Sequence, residues 1–200
     1  MRFAPVTIAV AGAWLAAAAA GTWCLHQYES APGSATPTPE QWPLAARIEA
    51  PHDHPTLVMF AHPQCPCTRT SIEELNRLLA KCQGRLATRV LFFQPSNRPP
   101  AWAHSSLWEG AAAIPGVFTQ DDPDGAEARR FGAETSGFVV LYDAKGRLLF
   151  RGGITAGRGH AGDNPGAEAI LSRLNGENAP NRQTPVFGCT LLDECLTSVK

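Results

Sequence analysis

Two cysteines separated by one residue, Cys65 and Cys67, stand between a segment typical of a buried strand and a segment typical of a helix. Residues 56–61 (TLVMFA) form a short β-branched and aromatic run, which predicts a buried strand. From Ser71 onward the sequence SIEELNRLLAKC spaces its apolar residues at helical intervals, and Gly84 is expected to end the helix. The two thiols are therefore predicted to lie at a turn from a strand into a helix.

This position has chemical consequences for the first thiol. A thiol at the start of a helix faces unpaired backbone N–H groups and the positive end of the helix dipole, which favour the thiolate. We therefore expect Cys65 to ionise more readily than a free cysteine, and Cys67 is near enough to resolve a mixed disulfide formed by Cys65. Pro66 stiffens the turn. The ring of a C-x-C disulfide is shorter than that of C-x-x-C, so we expect it to be strained and oxidising.

The rest of the chain alternates between strand-like and helix-like segments. Strands are predicted over 86–94, 116–119, 137–142 and 147–151, and helices over 104–113, 126–131 and from Pro165 onward. The turn at 143–146 (DAKG) predicts a β-hairpin. Asn164 is expected to cap the last helix, and Gly176 to end it. No internal repeat is present.

The N-terminal segment has almost no charge. Of the 17 Lys and Arg and 18 Asp and Glu residues, only Arg2 lies within residues 1–28. The uncharged run of about 23 residues from Phe3 to Leu25 is long enough to cross a bilayer. Arg2 before the run and Glu29 after it place the following domain outside the cytoplasm. We predict a transmembrane signal anchor over 1–28, with a cleaved signal peptide as the alternative; either brings the cysteines into an oxidising compartment.

Composition divides the remaining chain further. Residues 29–43 are rich in Pro, Ser and Thr and predict an extended linker. Residues 44–176 are predicted to form the domain, and 177–200 a cysteine-containing C-terminal tail. The chain beyond the anchor, about 170 residues, suits one domain with its own core. The formal net charge of −1, with no basic stripe, excludes nucleic acid as a partner.

At this point the sequence resembles a known family. TLVMFAHPQCPC followed by a helix, and the later hairpin GFVVLYDAKGRLLFRGG with a last helix, resemble the thioredoxin fold over roughly residues 42–176. This is an α/β fold with a central mixed sheet flanked by helices. The chain is most similar to bacterial membrane-anchored extracytoplasmic thioredoxin-like proteins, including RedB-type proteins with an HPxCPC motif.

The resemblance implies thiol–disulfide exchange without a cofactor, in which Cys65 is the attacking and Cys67 the resolving cysteine. It implies protein thiols and disulfides as partners, with a membrane electron donor as a further one. It also implies a single-pass protein of the bacterial inner membrane with its C-terminal domain in the periplasm. Thr135 and Ser136 stand where thioredoxins have a cis-proline, which predicts weaker binding of a peptide by backbone pairing.

Several other residues are candidates for auxiliary roles. His62 could tune the thiolate or ligate a metal, or it could serve as a capping or surface residue. In the thioredoxin fold the loop after the hairpin lies against the dithiol. Arg158 and His160 are therefore candidates for substrate contact or proton transfer, unless this Gly-rich segment is only a connector.

The remaining cysteines outside the anchor leave alternatives open. Cys189 and Cys195 could bridge each other, or Cys189 could reach the CPC motif as a third thiol. Cys82 is expected to be a buried apolar residue. Because five cysteines lie outside the anchor, at least one stays unpaired when all intramolecular bridges form.

Two other functions compete with the oxidoreductase. Thiolates are soft ligands suited to Cu(I), so Cys65 and Cys67 would form a copper-binding or copper-transfer site that is completed by His62, His160 or Cys189. An anchored binding domain that has the fold but no turnover is the other alternative.

Overall fold

The computed structural model describes residues 4–34, 36–82, 84–177 and 181–192. The chain divides into two compact units, Met1–Ala31 and Pro32–Lys200. The first unit consists of one helix, α1 (Ala4–Ser30). Within the described residues, its segment Pro5–Ser30 is the one helix long and apolar enough to cross a membrane. A signal sequence near the N-terminus also meets these criteria, so this helix agrees with both readings of the N-terminus.

The second unit alternates strands and helices. In chain order these are β1 (Thr56–Ala61), α2 (Pro66–Cys82), β2 (Ala87–Gln94), a 3₁₀ turn (Pro100–Trp102), α3 (Ser106–Ala112), β3 (Val117–Pro123), α4 (Ala126–Phe131), β4 (Phe138–Tyr142), β5 (Leu148–Gly152) and α5 (Pro165–Leu174).

The five strands form one mixed sheet in the order β3-β2-β1-β4-β5. The strand pairs β1–β2 and β2–β3 are parallel, whereas β1–β4 and β4–β5 are antiparallel. Every residue of the central strand β1 is buried, as expected for a strand covered on both faces. A β-α-β unit followed by a β-hairpin and a helix around such a sheet is the thioredoxin-like fold, which confirms the prediction of fold class.

The two faces of the sheet have separate cores. Leu57 and Met59 of β1 belong to a cluster that includes residues of α2, α3 and α5. Val58 and Phe60 point to the other face, where the cluster includes residues of α4 and of the C-terminal tail. Alternate residues of one strand therefore support both layers, and β1 is held rigidly below the turn that carries the two cysteines.

Two elements differ from the predicted bounds by more than two residues. Helix α2 begins at Pro66 rather than Ser71, because proline fits the first turn of a helix, where its missing N–H has no intrahelical partner. Strand β3 extends to Pro123 rather than ending at residue 119. Its buried Asp122 accepts hydrogen bonds from the N–H groups of Glu127 (2.8 Å) and Ala128 (2.9 Å). The residues added to β3 therefore include the carboxylate that caps α4.

The segments on both sides of the predicted domain also contribute to its core. In the predicted linker, the ring of Trp42 lies 5.0 Å from that of Phe131 and 5.2 Å from that of Tyr142. In the predicted tail, Val186 and Leu191 are buried. The boundaries at residues 44 and 176 therefore leave out residues that pack on the sheet. Cys195 lies outside the described residues.

Candidate functional site

Cys65 occupies the turn between β1 and α2. Its N–H donates to the carbonyl of His62 (3.2 Å), and its carbonyl accepts from the N–H of Thr68 (3.0 Å). Cys65 thus immediately precedes the helix, Pro66 is the first helical residue, and Cys67 is the second. The thiol of Cys65 therefore lies at the N-terminal end of α2, where backbone N–H groups favour an anion.

Three sulfur atoms meet at this turn. The Sγ atoms of Cys65, Cys67 and Cys189 all lie within 4.8 Å of one another, and those of Cys65 and Cys189 are 2.9 Å apart. Cys65 is fully buried, whereas Cys67 and Cys189 are partly exposed. No disulfide joins any of the cysteines that the structure describes, so the site contains three free thiols.

The environment of these thiols separates their pKa values. The hydrogen bond from the Cys189 side chain is the largest of the effects that lower the pKa of Cys65 to about 5, against the opposing effect of burial. The backbone of Cys189 and the side chain and backbone of Thr68 lower it further. An ionised Cys65 has no proton to donate, so Cys189 is the donor across the 2.9 Å contact.

The other two thiols stay protonated. The hydrogen bond to Cys65 and burial raise the pKa of Cys189. Burial and the charge of Cys65 raise the pKa of Cys67. At neutral pH the site therefore holds one thiolate, at Cys65, beside two thiols.

A second group of hydrogen bonds lies beside Cys65. The hydrogen bond of the Thr68 side chain lowers the pKa of Cys65, and Thr68 Oγ1 lies 2.6 Å from Ser136 Oγ. Ser136 Oγ in turn accepts from the backbone N–H of His62 (2.7 Å). His62, Ser136 and Thr68 therefore form one hydrogen-bonded series beside Cys65.

The imidazole of His62 lies among aromatic rings and is not part of the group of sulfur atoms. It is fully buried and packs against the rings of Trp102 (5.5 Å) and Phe93 (6.0 Å). Its Nδ1 accepts from the N–H of Gln64 at 3.2 Å. The group of metal-ligating atoms within 4.8 Å of one another contains Cys189 and not His62. The structure therefore gives His62 the position of an aromatic-core residue that shapes the turn.

Of the two candidates in the loop after the hairpin, Arg158 lies at the site. Its guanidinium donates to the carbonyl of Gly188, and its charge and hydrogen bond partly oppose the rise in the pKa of Cys67. His160 is exposed, and its Nδ1 lies 3.0 Å from the carbonyl oxygen of Arg158. Cys82, by contrast, is buried in the core between α2 and the sheet.

The segment 134–136 pairs with the chain's own tail. Ser136 N–H donates to the carbonyl of Cys189 (2.9 Å), and Leu191 N–H donates to that of Glu134 (2.8 Å). Thr135 and Thr190 form an antiparallel bridge between them. Thr135 and Ser136, which stand where thioredoxins have a proline, thus pair through their backbone with residues 189–191 of the same chain.

Sequence reasoning missed Thr68 and the pairing of the tail. A hydroxyl residue in the first turn after a cysteine is the available signal for Thr68. For the tail, the run PVFGC sets β-type residues beside a glycine and a cysteine, but it contains no information about which strand it joins.

Comparison with known proteins concerns the fold. No protein-family model matches the chain, and no curated protein matches its sequence. The structure is similar to a hypothetical protein from Sinorhizobium meliloti 1021, with a TM-score of 0.60 and 20% identity over 79% of this chain and 96% of that one. It is also similar to an uncharacterized conserved protein from Geobacillus kaustophilus, with a TM-score of 0.56 and 15% identity over 83% of this chain and 94% of that one.

A weaker similarity is found to a secreted Mycobacterium tuberculosis disulfide oxidoreductase homologous to E. coli DsbE. The TM-score is 0.45, with 16% identity over 62% of this chain and 83% of that one. At such identities the first two similarities show a shared fold, and the function has to be argued from the site.

Proposed function

We propose that this protein is a thiol–disulfide oxidoreductase in which Cys65 is the nucleophile. The observation that carries the proposal is the thiolate of Cys65, with a pKa of about 5, beside two protonated thiols within 4.8 Å. A thiolate is the species that attacks disulfides, and a second thiol nearby can release the partner again. A structural cysteine pair would need neither the low pKa nor the third thiol.

The reaction follows from these groups. The Cys65 thiolate attacks one sulfur of a partner protein's disulfide, that disulfide breaks, and the partner's other sulfur leaves as a thiolate and takes a proton. A second thiol of the site then gives up its proton and attacks the Cys65 sulfur, which releases the partner's remaining sulfur. The partner disulfide gains two electrons and the site is oxidised to a disulfide. In the CPC arrangement the second thiol is Cys67.

Turnover of a model disulfide tests this function. The full-length protein in detergent micelles should accelerate the reduction of insulin by dithiothreitol. Cys65→Ser should abolish this activity, and Cys67→Ser should accumulate mixed disulfides if Cys67 is the resolving thiol. Cys24→Ser, which removes the thiol of α1, should behave like the wild type. Insulin reduction that is unchanged in Cys65→Ser would contradict the proposal.

The setting we propose is that of the RedB-like, membrane-anchored proteins with an HPxCPC motif. Helix α1 would hold the chain in the bacterial inner membrane as a single span, with the C-terminal domain in the periplasm and a membrane electron donor as its source of reducing equivalents. The length and apolar composition of α1 support this. Resistance of the protein to alkaline carbonate extraction and digestion of the domain in spheroplasts would agree with it. Release of a shorter mature chain would indicate cleavage instead.

The three sulfurs also support a second candidate function, binding or transfer of Cu(I). Cys65, Cys67 and Cys189 offer three soft ligand atoms within 4.8 Å of one another, a set that suits Cu(I). Titration of the reduced protein with Cu(I) against a chromophoric chelator tests this. Tight stoichiometric binding that is lost in the Cys65→Ser/Cys67→Ser double variant, together with no insulin turnover, would favour copper over redox exchange.

A further inference from the structure

Residues 183–191 of the C-terminal tail lie along the site and are held there by isolated β-bridges and backbone hydrogen bonds. Backbone hydrogen bonds hold it on both sides of Cys189: Gly33 N–H donates to the carbonyl of Val186 (2.8 Å), and Leu191 N–H to that of Glu134 (2.8 Å). The side chains of Val186 and Leu191 are buried in the core on one face of the sheet. The position of Cys189 is therefore set by packing and pairing on both sides.

Gly188 shows how closely the tail approaches the segment 134–136. A Cβ atom at this position would lie 2.0 Å from the carbonyl oxygen of Ser136, so this residue must be glycine for the tail to pair as it does. The guanidinium of Arg158 also donates to the carbonyl of Gly188. The residue that precedes Cys189 is thus fitted to the site.

Because the tail pairs in this way, the thiol of Cys189 covers that of Cys65. Cys65 has no exposed surface, and its Sγ lies 2.9 Å from that of Cys189. A protein disulfide therefore reaches Cys65 only when the tail moves away from the segment 134–136. When the tail returns, it brings Cys189 directly to the Cys65 sulfur.

The two possible internal disulfides differ in strain. A Cys65–Cys67 bond closes the short ring of a C-x-C motif, for which standard disulfide geometry is difficult to reach. A Cys65–Cys189 bond joins residues 124 positions apart, brought together by the fold, and a long closed loop gives a disulfide more stabilisation than a short one. The bond to Cys189 is therefore the more favourable product.

We propose that Cys189 is the resolving thiol of Cys65, and that the oxidised form of the protein contains a Cys65–Cys189 disulfide while Cys67 stays reduced. This rests on the proposed thiol–disulfide function and reassigns its second step. After Cys65 has formed a mixed disulfide with the partner protein, the Cys189 thiol loses its proton and attacks the Cys65 sulfur. The Cys65–partner bond breaks, and the partner leaves as a thiolate that takes up a proton. The partner disulfide gains two electrons, Cys65 and Cys189 lose two, and an external dithiol reduces them again by the reverse exchange.

Disulfide mapping of the wild-type, full-length protein tests this directly. The reduced protein in micelles is oxidised with glutathione disulfide, free thiols are alkylated, and tryptic peptides are analysed without reduction. The expected product links peptide 48–69 to peptide 183–200, with the alkyl groups located on Cys67 and Cys195. A disulfide within peptide 48–69 with alkylated Cys189, or a Cys189–Cys195 bond, would overturn the inference. If Cys65 forms neither a disulfide nor an adduct with glutathione, the proposed function itself fails.

A backbone variant separates the effect of the tail from the removal of a thiol. Gly188→Ala leaves all the cysteines in place but sets a methyl group against Ser136. Overpacking of this kind should slow the formation of the Cys65–Cys189 link about tenfold or more. Alkylation of Cys65 should become about tenfold faster, because the tail covers it less. The rate is measured at pH 9, where loss of the Cys189 hydrogen bond changes the ionisation of Cys65 least.

Gly110→Ala is the matched control. Gly110 lies in α3 with nothing within 4 Å of an added Cβ, so both rates should equal those of the wild type. Equal rates in Gly188→Ala and Gly110→Ala, with the domain still folded by circular dichroism, would show that the tail does not deliver Cys189.

Discussion

The thiol of Cys189 lies 2.9 Å from that of Cys65, although 124 positions separate the two residues in the chain. The hydrogen bond from Cys189 lowers the pKa of Cys65, and its effect is larger than that of any other interaction. The sequence predicts that the N-terminus of α2 stabilises the thiolate. The structure adds a second stabilising group, the thiol of Cys189, which comes from the far end of the chain. The tail affects both the charge and the accessibility of the nucleophile.

The first prediction concerns the charge of Cys65. In Cys189→Ala the main donor is lost, so the pKa of Cys65 should rise from about 5 toward the ordinary value of about 8.5. Cys189→Ser retains a donor and should raise it less. The thiolate absorbance at 240 nm as a function of pH measures the change. The same pKa in Cys189→Ala and in the wild type would show that the tail does not stabilise the thiolate.

The second prediction concerns stability as a function of pH. The pKa of Cys65 is lower in the folded protein than in the unfolded chain, so between about pH 5 and pH 8 the unfolded state binds more protons. The free energy of unfolding of the reduced protein should therefore rise with pH in this range, by at most about 1.4 kcal/mol per pH unit. The gain is lost as the pH falls through 5.

Denaturant unfolding of the wild type and of Cys65→Ser at several pH values checks this. The difference between the two proteins should grow from pH 5.5 to pH 8, because the serine does not titrate there. A difference that stays constant would mean that Cys65 is not a thiolate in the folded protein.

The third prediction concerns Thr68, the member of the hydrogen-bonded series that acts on Cys65. Thr68→Val keeps the shape of the side chain but removes its hydroxyl, and should raise the pKa of Cys65 by less than Cys189→Ala does, since Thr68 ranks below Cys189 among the causes. It also leaves Ser136 without this buried hydrogen bond, at a cost of about 1–3 kcal/mol. The pH dependence of iodoacetamide alkylation measures the pKa. Thr68→Ser is the control, and its Cys65 pKa should stay close to that of the wild type. A larger rise in this pKa in Thr68→Val than in Cys189→Ala would contradict the prediction.

The fourth prediction concerns the segment before β1. Trp42 packs edge-on against Phe131 and Tyr142, so Trp42→Ala should lower the free energy of unfolding by about 2–3 kcal/mol. Leu44, two residues further along, is fully exposed, and Leu44→Ala should change stability by less than about 0.5 kcal/mol. Urea unfolding compares the two variants. Equal stabilities would show that residues before 44 act only as a linker.

Much of the fold could be predicted because its signals are local. The buried run at 56–61, the hairpin turn at 143–146 and the Asn164–Pro165 helix start each depend on a few adjacent residues, and the structure contains all three. The start of α2 was predicted five residues too late because apolar periodicity begins only after the first turn. Proline at the first helical position was the better signal there.

By itself, then, the sequence determined which elements form, that a strand leads into a helix at Cys65, and that two thiols share this turn. Only the tertiary structure decided that a third thiol joins them. It also decided that the backbone N–H of His62 donates to Ser136 while its ring packs against Trp102. The physical reason is that the tail reaches Cys65 by pairing with the segment 134–136. Backbone pairing between two short, irregular segments depends on where the sheet brings them, and neither segment has a periodic pattern that indicates its partner.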